Sequence, residues 1–244
     1  MFSFSATLFL SFFIYRPNSF RSLRLRDFWI YALFGGITNI SYVLAVINGE
    51  LVRVMLLFFL SPVWTIPLSL ILLKERLYFK NLIAALLSLM GAYIVLWQEN
   101  FSILNINDSD IYAIIGGIGF AFTNVLARRF NALTVQDKSY AIWVGVIIIG
   151  LVSIFLLPVD DEFSNLNIKA ILILIILGLI LLFATMIIQI GLTLVEAVRA
   201  SPIFLFEIVI VGISGYYLAN ESLQVKDFIG GLFIIFGVLI STRK

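Results

Sequence analysis

The stretch Leu51–Leu73, which reads LVRVMLLFFLSPVWTIPLSLILL, decides the fold class. Arg53 is its one charged residue, and about 20 apolar residues in a helix are what a bilayer core roughly 30 Å thick requires. Similar apolar stretches occupy 28–47, 80–97, 110–127, 139–157, 169–190, 200–218 and 227–241. The pattern predicts an all-α, polytopic bundle of transmembrane helices.

The composition excludes many kinds of chemistry. Of 244 residues, 62% are hydrophobic and 12% are charged, whereas soluble domains carry about 25% charged residues. Cysteine and histidine are both absent from the sequence, so thiolate nucleophiles, imidazole bases and cysteine or histidine metal sites are excluded. The net charge of +2 does not suggest a nucleic-acid partner. We therefore predict no enzyme, no cofactor and no metal site.

The loop charges predict the orientation in the membrane. When alternate loops are assigned to opposite sides, all basic residues except Arg53, Lys169 and Lys226 fall on one side. Cytoplasmic loops carry the excess of lysine and arginine. The C-terminus is therefore predicted to be cytoplasmic.

An internal repeat organises the chain. An offset of 146 positions aligns residues 50–94 with 196–240 without a gap. Matched charged residues are Glu50 with Glu196, Arg53 with Arg199, Glu75 with Glu221, and Lys80 with Lys226. Five crossings separate the copies, so one copy is expected to be inverted, as in many transporters.

The repeat also predicts what precedes the chain. Met1–Tyr15 is apolar but short for a span, and the offset implies about 37 further residues upstream (146 − 109). We expect a five-plus-five architecture of which this chain holds about nine segments, the first one partial and the helix before it missing. The predicted domains are a truncated first repeat at 1–97 and an inverted second repeat at 110–244. A groove is expected where the missing helix would pack.

These residues resemble a known family. The runs LLFFLSPVW at 56–64 and LKERL at 73–77, followed by Gly91, resemble the first repeat of EamA-type proteins of the drug/metabolite transporter superfamily. The second half of the chain resembles the family's second repeat at Glu207-Ile208-Val209, Glu221-Ser222-Leu223 and Gly230-Gly231 through Gly237. Ile208 stands where the family commonly has proline. The run VRVMLL at 52–57 looks most like the aromatic amino acid exporter branch.

The resemblance implies ten helices, cytoplasmic termini and export of small metabolites from a central cavity. We accordingly predict a permease of the bacterial inner membrane that exports amino acids, aromatic ones included, or drug-like compounds by alternating access. Protons are the candidate coupling ion, lipid is a partner, and a homodimer is a candidate assembly. The alternative is a truncated membrane protein or scaffold that does not transport.

Glu207 is the main candidate site residue because it is the one acid or base well inside a predicted span. Burying an ionised carboxylate there costs several kcal/mol. Helical spacing places Ser214 on the same face. Glu207 either couples protons or holds a substrate ammonium, or it is a neutral acid that braces helix packing.

Other polar residues complete the predicted substrate pathway. Asn39 and Thr185 occupy the same repeat position, and each lies one turn from a second polar residue, Tyr42 and Gln189 respectively. These residues either line a cavity near Glu207 or hydrogen-bond between helices.

Two prolines interrupt the 51–73 span. Pro62 and Pro67 each remove a backbone donor and free a carbonyl near Trp64 and Thr65. The kinked helix either gates a cavity, with Trp64 and Thr65 in the pathway, or the prolines serve packing alone.

Smaller expectations concern charges and tryptophans at helix ends. Arg53 and Arg199 each follow a glutamate by three residues, which favours local i,i+3 ion pairs. Three tryptophans near span ends are expected to be interfacial anchors, namely Trp29, Trp97 and Trp143.

Overall fold

The computed structural model describes residues 25–97, 106–156, 168–218 and 223–243, and within these ranges it contains helices and no strands. The helices are α1 Arg26–Asn48, α2 Leu51–Phe58, α3 Ser61–Leu72, α4 Phe79–Leu96, α5 Asp108–Arg129, α6 Val135–Leu156, α7 Ile168–Leu194, α8 Ala197–Leu218 and α9 Val225–Thr242. Because α2 and α3 together make one span, the described helices are long and apolar enough for eight membrane crossings. The predicted all-α transmembrane fold is confirmed. Met1–Tyr15 lies outside the described residues, and so does the prediction of a partial first helix and its groove.

The helix ends follow from local hydrogen bonding. The side chains of Thr134 and Asp137 exchange hydrogen bonds with each other's backbone N–H at the start of α6, which is a capping box. Gln224 and Asp227 form another at the start of α9. Both boxes satisfy backbone donors that the first helical turn leaves without partners. Each box therefore stabilises the first turn of its helix.

The 51–72 span is broken at Phe59 and Leu60, which form a turn between α2 and α3. Pro62 is the second residue of α3 and has no N–H with which to bond the Phe58 carbonyl. The span therefore ends one helix at Phe58 and starts another at Ser61. Pro67, by contrast, lies inside α3.

The chain divides into two compact units. One consists of residues 1–40 and 126–194, and the other of 41–125 and 195–244. In the first unit, a Cβ on Gly145 would overlap the Ala32 backbone and one on Gly36 would lie 2.5 Å from the Gly145 carbonyl oxygen. These glycines let α1 and α6 pack backbone to backbone. Each unit takes segments from both predicted repeats, whose limits stay a prediction.

In the second unit, α4 and α9 pack against each other through reciprocal contacts. A Cβ on Gly91 would lie 2.5 Å from the Gly230 carbonyl oxygen, and one on Gly237 would lie 2.7 Å from the Ala84 carbonyl oxygen. The offset of 146 turns the first contact pair into the second, because Gly91 matches Gly237 and Ala84 matches Gly230. The contacting numbers rise along one helix as they fall along the other, so the helices are antiparallel. Matching helices that run in opposite directions are what an inverted repeat predicts.

A pair of lysine contacts obeys the same relation. Lys80 Nζ donates to the Arg243 carbonyl at 3.2 Å, and Lys226 Nζ donates to the Trp97 carbonyl at 2.7 Å. Trp97 and Arg243 are the C-cap residues of α4 and α9. Each lysine thus caps the C-terminus of the opposite helix, where cations are stabilising.

Helix boundaries repeat with the same offset. Adding 146 to the limits of α4 gives those of α9, and adding it to the 51–72 span gives 197–218, the limits of α8. The ends of α1 and α7, Asn48 and Leu194, are related in the same way. The duplication therefore governs the length of the helices as well as their sequence.

Candidate functional site

Glu207 lies at the middle of α8, ten residues or more from either helix end. Its side chain is exposed, while Ile208 next to it is buried in the core of the second unit. Within the described residues, neither an ion pair nor a hydrogen bond engages the Glu207 carboxylate. A carboxylate is therefore available at mid-span.

A row of aromatic rings lies in the same unit, contributed by four helices. The ring centroids of Tyr42 and Phe58 are 4.7 Å apart, those of Phe58 and Phe120 are 5.4 Å apart, and those of Phe120 and Phe204 are 4.9 Å apart. All four rings are partly exposed. We call Tyr42, Phe58, Phe120, Phe204 and Glu207 the ring site.

Both ends of this row lie near Glu207. Phe204 precedes Glu207 by three residues on α8 and so shares its helix face. Tyr42, at the other end of the row, lies within electrostatic range of the Glu207 carboxyl group. The predicted pathway role of Tyr42 and Glu207 remains a prediction.

The α2–α3 break and a glycine pair position Phe58. A Cβ on Gly117 would lie 2.8 Å from the Phe58 carbonyl oxygen, which is the carbonyl that Pro62 cannot bond. A Cβ on Gly116 would lie 3.3 Å from the Phe58 ring. Both glycines thus let α5 approach the interrupted span closely, as helix-packing glycines do.

The remaining predicted residues of this unit are in varied settings. Trp64 and Pro67 are exposed, and Pro62 is buried. Thr65 is fully buried, and its hydroxyl donates to the Ser61 carbonyl at 2.9 Å. The Ser214 hydroxyl donates to the Ile210 carbonyl. Both hydroxyls are therefore bonded to their own helix.

In the first unit, Gln189 is buried and accepts a 2.8 Å hydrogen bond from the Tyr31 hydroxyl. Asn39 donates its amide to the Gly35 carbonyl at 2.8 Å and is half-buried. Thr185 is also half-buried. The Tyr31–Gln189 bond ties α1 to α7 and makes the Gln189 amide part of a packed interior.

A buried lysine escaped the sequence interpretation because it lies near a helix start, where charges are ordinary. Lys138 is 1% exposed, and its ammonium donates to the Ala127 carbonyl at 2.6 Å. The Thr193 hydroxyl lies 3.5 Å away. Ala127 and Thr193 are near the C-termini of α5 and α7, whose carbonyls stabilise a cation.

Two expectations about helix ends require correction. Arg53 was expected to pair with Glu50 but forms a bidentate ion pair with Asp110, with both N–O distances at 2.6 Å. The reason is that α5 brings the Asp110 carboxylate to Arg53, although the two residues are far apart in the sequence. Trp143 is 1% exposed and is packed in the protein interior rather than placed as an interfacial anchor. The predicted pair of Arg199 with Glu196 is confirmed at 2.8 Å.

Comparison with known proteins places the chain in a family. The profile of the EamA-like transporter family matches residues 1–97 and 108–243. The chain belongs to the EamA-like transporter family. An uncharacterized transporter of Archaeoglobus fulgidus is 31% identical over 87% of this chain and 75% of its own length.

Other relatives of this EamA-like transporter are more distant. An uncharacterized transporter of Clostridium kluyveri is 28% identical over 76% of this chain and 61% of its own length. An S-adenosylmethionine uptake transporter of Rickettsia prowazekii is 22% identical over 83% of this chain and 66% of its own length. A protein of known crystal structure shares the fold with a TM-score of 0.73 at 17% identity, covering 99% of this chain and 84% of that chain. The protein is thus an integral membrane transporter of the drug/metabolite transporter superfamily.

The phenylalanines of the ring site were missed in the sequence for a compositional reason. Aromatic residues make up 15% of the chain, so no single phenylalanine stands out. The usable signal was local: Phe204 lies one helical turn before Glu207, and Phe120 follows the glycines that contact Phe58. Neither pattern shows that α1, α2, α5 and α8 bring their rings together.

Proposed function

We propose that this protein exports amino acids, including aromatic ones, or related small metabolites across a bacterial inner membrane by alternating access. Protons are the proposed coupling ion, and the C-terminus is proposed to be cytoplasmic. The ring site lies on the proposed substrate pathway. The residues predicted to share that pathway are Asn39, Trp64, Thr65, Thr185, Gln189 and Ser214.

The exposed carboxylate of Glu207 supports this proposal most strongly. A mid-span side chain that is not covered by protein faces either lipid or a water-filled pathway. An ionised carboxylate facing lipid is strongly unfavourable, and acids within spans are usually found in cavities and substrate routes. An aqueous pathway beside Glu207 explains how the carboxylate is tolerated.

The relatives leave the direction of transport to be tested. The Rickettsia relative is named for uptake, whereas the resemblance of residues 52–64 to the aromatic amino acid exporter branch implies export. Labelled phenylalanine, tyrosine and S-adenosylmethionine should therefore be followed in both directions in proteoliposomes, with and without a proton gradient. We expect phenylalanine or tyrosine flux that the gradient accelerates.

A scaffold without transport activity is the competing function. In that case, purified protein that is monodisperse and folded would carry none of the labelled compounds in either direction, with or without the gradient. Such a result would overturn the proposed function.

A further inference from the structure

The ring site combines one carboxyl group, which is negative when ionised, with several aromatic faces. Each aromatic face carries negative potential, so the four rings and the Glu207 carboxylate all attract positive charge. Arg53, the nearest basic residue along α2, is held by Asp110 in a bidentate ion pair. The electrostatic character of the site is therefore that of a cation receptor.

We propose that the ring site recognises the cationic group of an organic ammonium, with the Glu207 carboxylate as counter-ion and the rings of Phe58, Phe120 and Phe204 as its walls. This inference rests on the proposed transport function and gives it a substrate class. The positive nitrogen, rather than the substrate carboxylate, is the group recognised in this unit.

The distances suit an organic cation. A cation interacts with an aromatic face within about 6 Å of the ring centroid. Since successive centroids are 4.7 to 5.4 Å apart, an alkylated nitrogen placed beside the line between two neighbouring centroids lies within reach of both rings. The ring planes of Phe120 and Phe204 are inclined by 77°, so the pair offers a face and an edge rather than a flat stack.

A metal ion suits the same residues poorly. Magnesium and calcium require six or more oxygen ligands, whereas the ring site supplies one carboxylate and the Tyr42 hydroxyl. Phenylalanine rings offer no oxygen. A soft, partly desolvated ammonium matches this chemistry, and a hard, strongly hydrated ion does not.

A series of three phenyl compounds isolates the charge. Phenethylamine is a cation, phenylalanine a zwitterion and 3-phenylpropionate an anion, and all carry the same ring. Their binding should be measured with radiolabelled compounds on protein in nanodiscs of zwitterionic phosphatidylcholine, which has no net charge, with empty nanodiscs as background. We expect phenethylamine to bind at least tenfold more tightly than 3-phenylpropionate.

Substitutions then assign the preference to the ring site. Glu207→Gln should remove most of the tenfold preference, while Glu196→Gln, which alters a carboxylate paired with Arg199, should keep it. Phe120→Leu should weaken phenethylamine binding three- to tenfold. The exposed ring of Phe228 provides the control, since Phe228→Leu removes a ring outside the site.

Phe204→Tyr tests whether a loss of binding in the other variants comes from misfolding. Tyrosine retains the aromatic face, so this variant should still bind phenethylamine. Equal binding of the amine and the anion by wild-type protein would overturn the inference, and so would a preference that survives Glu207→Gln. Flux of the same compounds is recorded in parallel. Transport without charge preference refutes only the cation site, whereas a charge preference without any flux refutes only the transport function.

Discussion

The two copies of the repeat are most alike in α4 and α9 and least alike where α2 and α3 separate. Lys80 and Lys226 cap opposite helices in the same way, and Gly91 and Gly237 make equivalent contacts. The offset, however, pairs Ser61 with Glu207 and Pro62 with Ile208. One copy has a helix break at this position, and the other has a continuous helix with a carboxylate.

This difference distinguishes contacts that hold helices together from residues of the candidate site. Contacts that the duplication preserved hold the second unit together. The position where the copies diverged supplies Phe58 from the broken helix and Glu207 from the unbroken one, both at the ring site.

The largest effect is expected from Glu207→Gln, which makes the second copy neutral like the first. Gradient-driven transport should fall at least tenfold, because glutamine keeps the shape of the side chain but can neither ionise nor titrate. Proteoliposome flux measures this loss, and Glu196→Gln is the control. If Glu207→Gln lost gradient-driven transport but kept substrate counterflow, Glu207 would couple protons without contacting the substrate.

The next effect concerns the helix break. Ile208→Pro gives the second copy the proline of the first, and it should destabilise the protein by about 3 kcal/mol because α8 loses a backbone hydrogen bond and gains a steric clash. Pro62→Ile, the reverse exchange, should cost less, about 1 kcal/mol, because isoleucine restores a backbone donor although position 62 is buried. Thermal unfolding in detergent compares the two variants. If both variants lost the same free energy of unfolding, the residues at positions 62 and 208 would not be what determines the break in one copy and the continuous helix in the other.

The reciprocal glycines should respond alike. Gly91→Ala and Gly237→Ala should each destabilise the protein by about 1–3 kcal/mol, since the added methyl group meets backbone atoms of the opposite helix. Gly212→Ala is the matched control, with open space around it, and should be neutral or stabilising by up to about 1 kcal/mol. A large difference between the first two variants would contradict the two-fold relation of α4 and α9.

The smallest effect is expected at the lysine caps. Lys80→Ala and Lys226→Ala should each lower stability by about 0.3–1 kcal/mol, as for a surface cation at a helix C-terminus. Because the caps lie at opposite ends of the helix pair, the double variant should show the sum. Unfolding measured at low and high salt would show whether the effect is screened as a charge interaction should be.

Much of the fold was predictable because it depends on patterns along the chain. Hydrophobic length gave the spans, and the matched glutamates and lysines gave the offset that also relates the helix ends. Both Pro62 and Pro67 were expected to interrupt the span because proline removes a backbone donor. The helix breaks ahead of Pro62, at Phe59 and Leu60, but continues through Pro67. The capping of α4 by Lys226 was not expected, because it depends on which helices become neighbours.

The candidate site was only partly predictable for the same reason. Glu207 stood out as a lone charge in an apolar helix. Phe58, Phe120 and Phe204 did not stand out because they are common residues whose meaning depends on their proximity in space. Arg53 was assigned to Glu50 through local spacing, but α5 brings Asp110 closer.

The antiparallel arrangement of α4 and α9 has a consequence for the response to membrane voltage. Both helices are 18 residues long, so their macrodipoles point in opposite directions and largely cancel. A unit charge that crosses the membrane gains about 2.3 kcal/mol per 100 mV, but the backbones of this pair contribute almost nothing to such a movement. The backbones of the pair can shift within the electric field with little electrical work, so any voltage dependence from this pair would come from its charged side chains, such as Lys80 and Lys226.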